Sequence, residues 1–217
     1  MNARTTPRPE PYVWVTWITK LLAGESSCVW SPWFRAHFQT AKAPSGFDMT
    51  AWQMDHAAML RKTATEHEKE GYAVHTEGQN LFALKGKVGT LSGKPDLVAV
   101  KEATGWVIDT KTGTPKASDR VQVSIYMWAL PKVIPAFAEV TFSGKVVYKM
   151  GTSIITPGEV DAVFIRRVAD LMKEVCGEAE PHKAPSYAEC QFCPITAEDC
   201  ADRAGAVKVF QGETDEF

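Results

Sequence analysis

The sequence predicts a mixed α/β fold with a mixed central sheet flanked by helices. Three observations carry that prediction. Apolar, β-branched runs come in closely spaced groups between residues 72 and 111. Longer stretches with helical periodicity and recognisable caps stand before, between and after them. The resulting order of helix, strands with a hairpin, helix, strands and helix suits a sheet covered by helices. The chain has 217 residues, 45% hydrophobic and 23% charged, which is enough for a substantial apolar interior. This points to one domain, or to a core with an appended lobe.

The elements follow in order. Residues 1–11 contain proline and arginine and are expected to be disordered. Residues 12–47 begin with an aromatic-rich stretch (Trp14, Trp17, Trp30, Trp33, Phe34, Phe38), read as the packing of a small lobe, with stacking on unpaired bases as the alternative. Ala43-Pro44-Ser45-Gly46 reads as a linker, after which Asp48 is placed to cap a helix over 48–71. Strands are expected near 72–77, 81–88, 96–101 and 106–111. Ser118 is then placed to cap a helix to Leu130, ended by Pro131. Further β-type runs lie at 138–142 and 145–149. Thr156-Pro157-Gly158-Glu159 reads as a capping box opening a helix to about Val175. Its buried side would carry Val160, Val163, Phe164, Leu171 and Val175, with Arg166 and Arg167 outside. The nuclear part of the fold is thus 48–176, followed by a cysteine-bearing segment at 177–204 and an acidic tail at 205–217.

The densest chemical signal is Gly93-Lys94-Pro95-Asp96 followed by Asp109-Thr110-Lys111. The two apolar runs around Glu102-Ala103-Thr104-Gly105 predict a hairpin. Pairing Lys101 with Trp106 sets Val98 against Asp109 and Asp96 against Lys111. Alternation along a strand then gathers Asp96, Asp109 and Lys111 on one face. Two carboxylates are hard oxygen ligands for Mg²⁺ or Mn²⁺, ions that take much of their shell from water and phosphate. A lysine beside them can position a water or stabilise charge on phosphate oxygens. On the next helix Gln122 and Tyr126 stand one turn apart and share a face. His67 lies with Leu60 and Ala64 along one face of the 48–71 helix.

Five cysteines form the second signal. Cys190, Cys193 and Cys200 cluster near the C-terminus, Cys28 lies more than 160 residues earlier, and Cys176 ends an amphipathic helix. The spacing of the trio is ligand spacing, and four thiolates suit either Zn²⁺ or a [4Fe–4S] cluster. Cys176 reads as a small buried hydrophobe.

Pro95-Asp96 and Asp109-Thr110-Lys111 resemble, in order, the signature of the PD-(D/E)xK nuclease superfamily. Gln122-Val123-Ser124-Ile125-Tyr126 resembles the Q-x-x-x-Y motif of its RecB-like exonuclease branch, and His67 resembles that branch's upstream histidine. The resemblance implies a restriction-endonuclease-like core. It implies a divalent metal (Mg²⁺ or Mn²⁺) held by His67, Asp96, Asp109 and the Thr110 carbonyl. Lys111 would act on the attacking water, with Gln122 and Tyr126 beside it. His37, His56, His75 and His182 receive no role from it. The cysteine layout is similar to that of CRISPR-associated RecB-like exonucleases and AddB-type helicase–nucleases. By that resemblance Cys28, Cys190, Cys193 and Cys200 hold a [4Fe–4S] cluster that staples the two ends of the chain.

The function implied is a metal-dependent DNA nuclease acting on single-stranded or frayed ends, with a helicase, recombination or integration factor as a possible protein partner. Two rivals belong to other classes: a catalytically quiet DNA-binding or assembly subunit, and an interaction domain stabilised by Zn²⁺. A formal charge of −2 argues against a broad basic clamp on duplex DNA. It leaves room for a local track at Lys85, Lys87, Lys94, Lys111, Lys116 and Arg120. No run approaches eighteen apolar residues and the N-terminus has no apolar signal core, so a cytoplasmic protein with no membrane association is expected.

Overall fold

Apolar alternation organises two sheets around one helix in the computed structural model, which describes residues 5–40 and 49–205. In chain order the strands are β1 (Thr6–Pro7), β2 (Tyr12–Trp14), β3 (Phe38–Gln39), β4 (Ala73–Thr76), β5 (Phe82–Lys85), β6 (Thr90–Gly93), β7 (Leu97–Lys101), β8 (Thr104–Lys111), β9 (Thr141–Tyr148) and β10 (Gly151–Ile155). The helices are α1 (Val15–Leu22), α2 (Trp30–His37), α3 (Met49–Lys69), α4 (Ala117–Val133), α5 (Ala162–Val175) and α6 (Tyr187–Cys190). The main sheet has the order β10-β9-β8-β7-β4, with β8 and β9 parallel and the other pairs antiparallel. A second sheet, β2-β6-β5, pairs β2 with β6 in parallel. The expected mixed α/β architecture with flanking helices is present.

Strand alternation explains how the main sheet is covered. Leu97, Ala99 and Ile108 point to the face where Leu60 and Ala64 of α3 pack. Val98, Val107 and Val146 point the other way, onto Val123 and Met127 of α4. Each of these fully buried valines contributes about 1.5–3 kcal/mol by leaving water. Two glycines let α4 fit between the sheets. A Cβ on Gly144 of β9 would lie 2.6 Å from Val123, and one on Gly93 of β6 would lie 2.5 Å from the Tyr126 ring. The second contact seats Tyr126 against the strand that leads into Asp96.

Several boundaries differ from the sequence reading. The segment from Thr6 is paired with Phe38–Gln39 rather than disordered. The hairpin turn is two residues long, Glu102-Ala103, with Glu102 at φ 55°. Lys101 therefore pairs with Thr104, not Trp106, and Val98 with Val107. The slip is two residues, which preserves every side-chain face. Pro131 lies inside α4, which continues to Val133. The Thr156 box opens only a 3-10 turn, Pro157–Glu159, and α5 starts later at an Asp161 cap whose carboxylate accepts from the Phe164 N–H at 2.8 Å. Val163 is consequently exposed, and the buried side of α5 carries Val168, Met172 and Val175. The cap foreseen at Asp48, the 43–46 linker and the tail beyond Gly205 lie outside the described residues. Among the described residues no helix is long and apolar enough to cross a membrane.

Candidate active site

Asp96 sits where the ladder of β7 ends. Pro95 precedes it and has no N–H to extend the pairing, and the last paired residues are Leu97 and Ile108. The backbone N–H of Thr110 is taken up by the Asp96 side chain, Oδ2 accepting it at 2.8 Å. The same oxygen accepts from Thr110 Oγ1 at 3.0 Å and lies 3.1 Å from His56 Nε2. Burial pushes the Asp96 carboxyl up, but the hydrogen bonds from His56 and Thr110 outweigh it and hold the group below the usual carboxylate range. Asp96 is thus an ionised anchor.

Asp109 is held differently. It is 2% exposed, near the end of β8, facing α4. Its Oδ1 accepts from Gln122 Nε2 at 2.8 Å. Its Oδ2 has no hydrogen-bond partner of good geometry and meets Lys111 Nζ as an ion pair at 2.6 Å. Burial and the neighbouring Asp96 charge push its pKa up to about 7, against the pull of Lys111. A buried carboxylate oxygen without a hydrogen-bond donor, beside a second carboxylate, is a poor site for bare charge and a good one for a hard cation. The donor set fits Mg²⁺ or Mn²⁺ on those grounds.

Lys111 and Gln122 close the cluster. Lys111 Nζ donates to Gln122 Oε1 at 3.1 Å, which fixes the amide so that its Nε2 donates to both Asp109 and, at 3.1 Å, the Tyr126 hydroxyl. Burial lowers the Lys111 pKa, but Asp109 and Asp96 more than compensate and the ammonium is retained. Tyr126 is buried and its pKa raised, by burial first and then by Asp109, so its hydroxyl stays protonated. The helical spacing of Gln122 and Tyr126 is what brings amide and phenol to one point.

His67 is not part of this group. It is buried three turns further along α3, where its Nδ1–H donates to the Thr63 carbonyl at 2.8 Å and its Nε2 accepts from Lys145 at 3.0 Å. Both ring nitrogens are committed there. His56, which the sequence gave no role, stands where His67 was expected, 2.9 Å from Thr110 Oγ1 as well as beside Asp96, with Trp52 stacked on its ring at 4.9 Å. The two histidines are eleven residues apart, which returns a helix to nearly the same face about 16 Å further on. Both histidines therefore lie on one stripe of α3, and only His56 lies at the depth of Asp96.

A cavity of about 880 Å³ opens over the cluster, lined by His56, Asp96, Asp109, Thr110, Lys111, Gln122 and Tyr126. Its walls add Trp14, which the sequence placed in the packing of a small lobe, Trp52, which it gave no role, and the cations Arg61, Lys94 and Lys116. Of the expected basic track, Lys85 is instead drawn to Glu10 and Arg120 to Glu159.

Cys28, Cys190, Cys193 and Cys200 line a second cavity, of about 520 Å³, with Lys20, Arg35, Lys183 and Arg203 around them. All four are free thiols packed against Trp30, Trp33, Phe34 and Ile195 or close by. The ends of the chain are joined here by side chains. Glu189 accepts from Ser26, from the N–H and hydroxyl of Ser27, and from the Cys28 N–H, while Trp33 Nε1 donates to the Gly177 carbonyl at 2.8 Å. Among the described residues, however, no three His, Cys, Asp or Glu side chains converge closely enough to hold an ion. Cys176 lies elsewhere, buried, with its thiol pushed up to about 11.

The hairpin-borne carboxylates, the lysine and the flanking helix define a class, and comparison with known proteins agrees. The family model of the PD-(D/E)XK nuclease superfamily matches residues 23–197. The chain belongs to that superfamily. No curated protein matches it. Among solved structures, the crystal structure of SSO0001 is similar over 92% of this chain and 91% of its own, at 17% identity and a TM-score of 0.47.

Proposed function

We propose that this protein is a divalent-metal-dependent DNA nuclease of the RecB-like branch, acting on single-stranded or frayed ends. The observation that supports it most is the Asp96, Asp109 and Lys111 group at the floor of one cavity, braced by Gln122. Asp96, Asp109 and the Thr110 carbonyl would hold Mg²⁺ or Mn²⁺, and His56, rather than His67, would supply the nitrogen donor. When bound, the cation polarises the phosphodiester and acidifies the attacking water.

The chain's own groups do the rest. His56 and the Thr110 N–H keep Asp96 ionised, and the Thr110 N–H and O–H together aim it. Gln122 holds Lys111 and Asp109 in one plane of contact, so the ammonium stands beside the carboxylate that faces the scissile phosphate. Because Lys111 keeps its proton, its part is to orient water and to stabilise charge growing on the phosphate oxygens. The Tyr126 hydroxyl accepts from Gln122 and steadies that amide. Water adds to phosphorus, the P–O bond to the leaving nucleotide breaks, and the leaving oxygen takes a proton from solvent.

The second cavity supports a structural role for a [4Fe–4S] cluster on Cys28, Cys190, Cys193 and Cys200, closing a lobe of residues 12–47 and 177–204 around a core at 48–176. The support is that all four thiols share one cavity ringed by cations, which suits an anionic group. Zinc is separated from iron by metal analysis and by absorbance at about 400 nm, where the cluster absorbs and zinc does not.

The test is cleavage of end-labelled single- and double-stranded DNA, prepared anaerobically, with Mg²⁺ or Mn²⁺. Metal-dependent cutting that vanishes in Lys111→Ala supports the reading. Equal cutting by both proteins overturns it, and an inert wild type with DNA binding intact favours the quiet binding subunit.

A further inference from the structure

Trp14 and Trp52 reach the active-site cavity from different elements. Trp14 ends β2, where its backbone pairs with Ser92 of β6, three residues before Pro95 and the Asp96 carboxylate. Trp52 lies on α3, over the opposite face of the main sheet, and stacks on the His56 ring at 4.9 Å and 24°. Both are half-buried, and both line the same cavity as the carboxylates. Trp14 meets the Tyr12 ring edge-on, and the cavity that both tryptophans border also carries Arg61, Lys94 and Lys116, with Lys94 paired to Glu77. Cations and flat rings lining one cavity are the ingredients for holding a flexible strand, phosphates on the cations and bases on the rings.

We propose that Trp14 and Trp52 are specificity-determining residues that stack the unpaired bases next to the scissile phosphate. The inference rests on the nuclease reading of the same site and deepens it. A paired duplex has its base faces covered by neighbouring bases and offers nothing to these rings. A single strand, or a frayed end, offers one face per nucleotide. The preference for unpaired ends would then come from apolar stacking rather than from exclusion of duplex by size. Every base has a π-face, so the selection carries little sequence preference. Trp52 would also transmit a stacked base to His56, and through it to Asp96.

The experiment compares a single-stranded oligonucleotide with one carrying abasic residues at the positions flanking the cut, using the full chain with Mn²⁺. Wild type should lose roughly 5- to 100-fold in kcat/KM per missing base, mainly through KM. Trp14→Leu and Trp52→Leu should lose a similar factor on the normal strand and nothing further on the abasic one, while Trp→Phe variants should recover most of it. The same pattern should appear in anisotropy binding with Ca²⁺ in place of Mn²⁺. If wild type treats abasic and normal strands alike, or the Leu variants lose equally on both, the rings are structural and the proposal is overturned. If no strand is cut but the binding pattern holds, the stacking inference stands and the nuclease reading falls.

Discussion

The two cavities of this protein are built in opposite ways. The floor of the carboxylate cavity comes from residues 96–126, neighbours in sequence, on two paired strands and the helix that follows, while β2 and α3 add the walls. Backbone ladders fix its geometry, and its side chains need only short bonds to finish it. The cysteine cavity joins segments more than 160 residues apart, and no strand connects Cys28 to Cys190. Its closure depends on side chains such as Glu189 and Trp33 reaching across. Among the described residues neither cavity gathers three His, Cys, Asp or Glu side chains closely enough to hold an ion; the difference is that strand pairing fixes the backbone of the first and side-chain bonds close the second. A preorganised site tolerates loss of its ion, whereas a lobe closed by scattered contacts depends on whatever binds within it.

That contrast can be broken most sharply at Lys111. Lys111→Ala and Asp109→Asn should each lower cleavage by about 10³-fold or more while the fold persists, because they remove charge stabilisation and not packing. Unfolding, read by circular dichroism, would show that the cluster is structural. The next effect separates the two histidines. His56→Ala should cost about 10²-fold in activity with little loss of stability. His67→Ala should cost stability, since it empties a buried ring position and removes the acceptor of Lys145, and leave kcat within a few-fold. Reversed results would return His67 to the site.

In the cysteine lobe, Glu189→Ala removes an acceptor shared by Ser26, Ser27 and Cys28. It should destabilise the lobe by about 1–3 kcal/mol, visible as faster hydrogen exchange in 26–30 without change at 96–111. Equal change in both regions would mean the two cavities unfold together.

The smallest effect is on pH. Asp109 ionises near pH 7 in the folded chain, mainly through burial, against about 4 when unfolded. The folded form therefore keeps a proton that the unfolded form loses, so this group lowers stability as pH rises from about 4 to about 7 and adds no further change above. His56, with its pKa raised by its bond to Asp96, acts in the same direction. Asp96, held low, acts oppositely and at more acid pH. Melting temperatures without metal should fall across pH 5 to 7 in wild type and less in Asp109→Asn. An unchanged slope in that variant would place the titration elsewhere.

The same contrast explains what could be read from the sequence. Asp96, Asp109, Lys111, Gln122 and Tyr126 were legible because strand and helix periods fix them locally, and a two-residue register slip leaves the faces unchanged. His56 was missed because α3 repeats its face every eleven residues and periodicity carries no depth. The strands β2 and β6 escaped notice because they are short, and Thr90–Gly93 has little apolar alternation. Their parallel pairing joins residues about 80 apart, a contact that no local pattern announces. Asp161 outcompeted Thr156 for the cap of α5 because Pro157–Glu159 closed as a separate turn.

The measurement that bears most directly on the central claim is Mn²⁺ binding at pH 7.5, by calorimetry or by loss of the free-ion electron paramagnetic resonance signal. Wild type is compared with Asp96→Asn, Asp109→Asn and a quadruple Cys→Ser variant. The account predicts saturable binding in wild type, weakened at least about tenfold by either aspartate change and retained when the cysteines are lost. Binding that survives both aspartate changes, or that follows the cysteines, would contradict it.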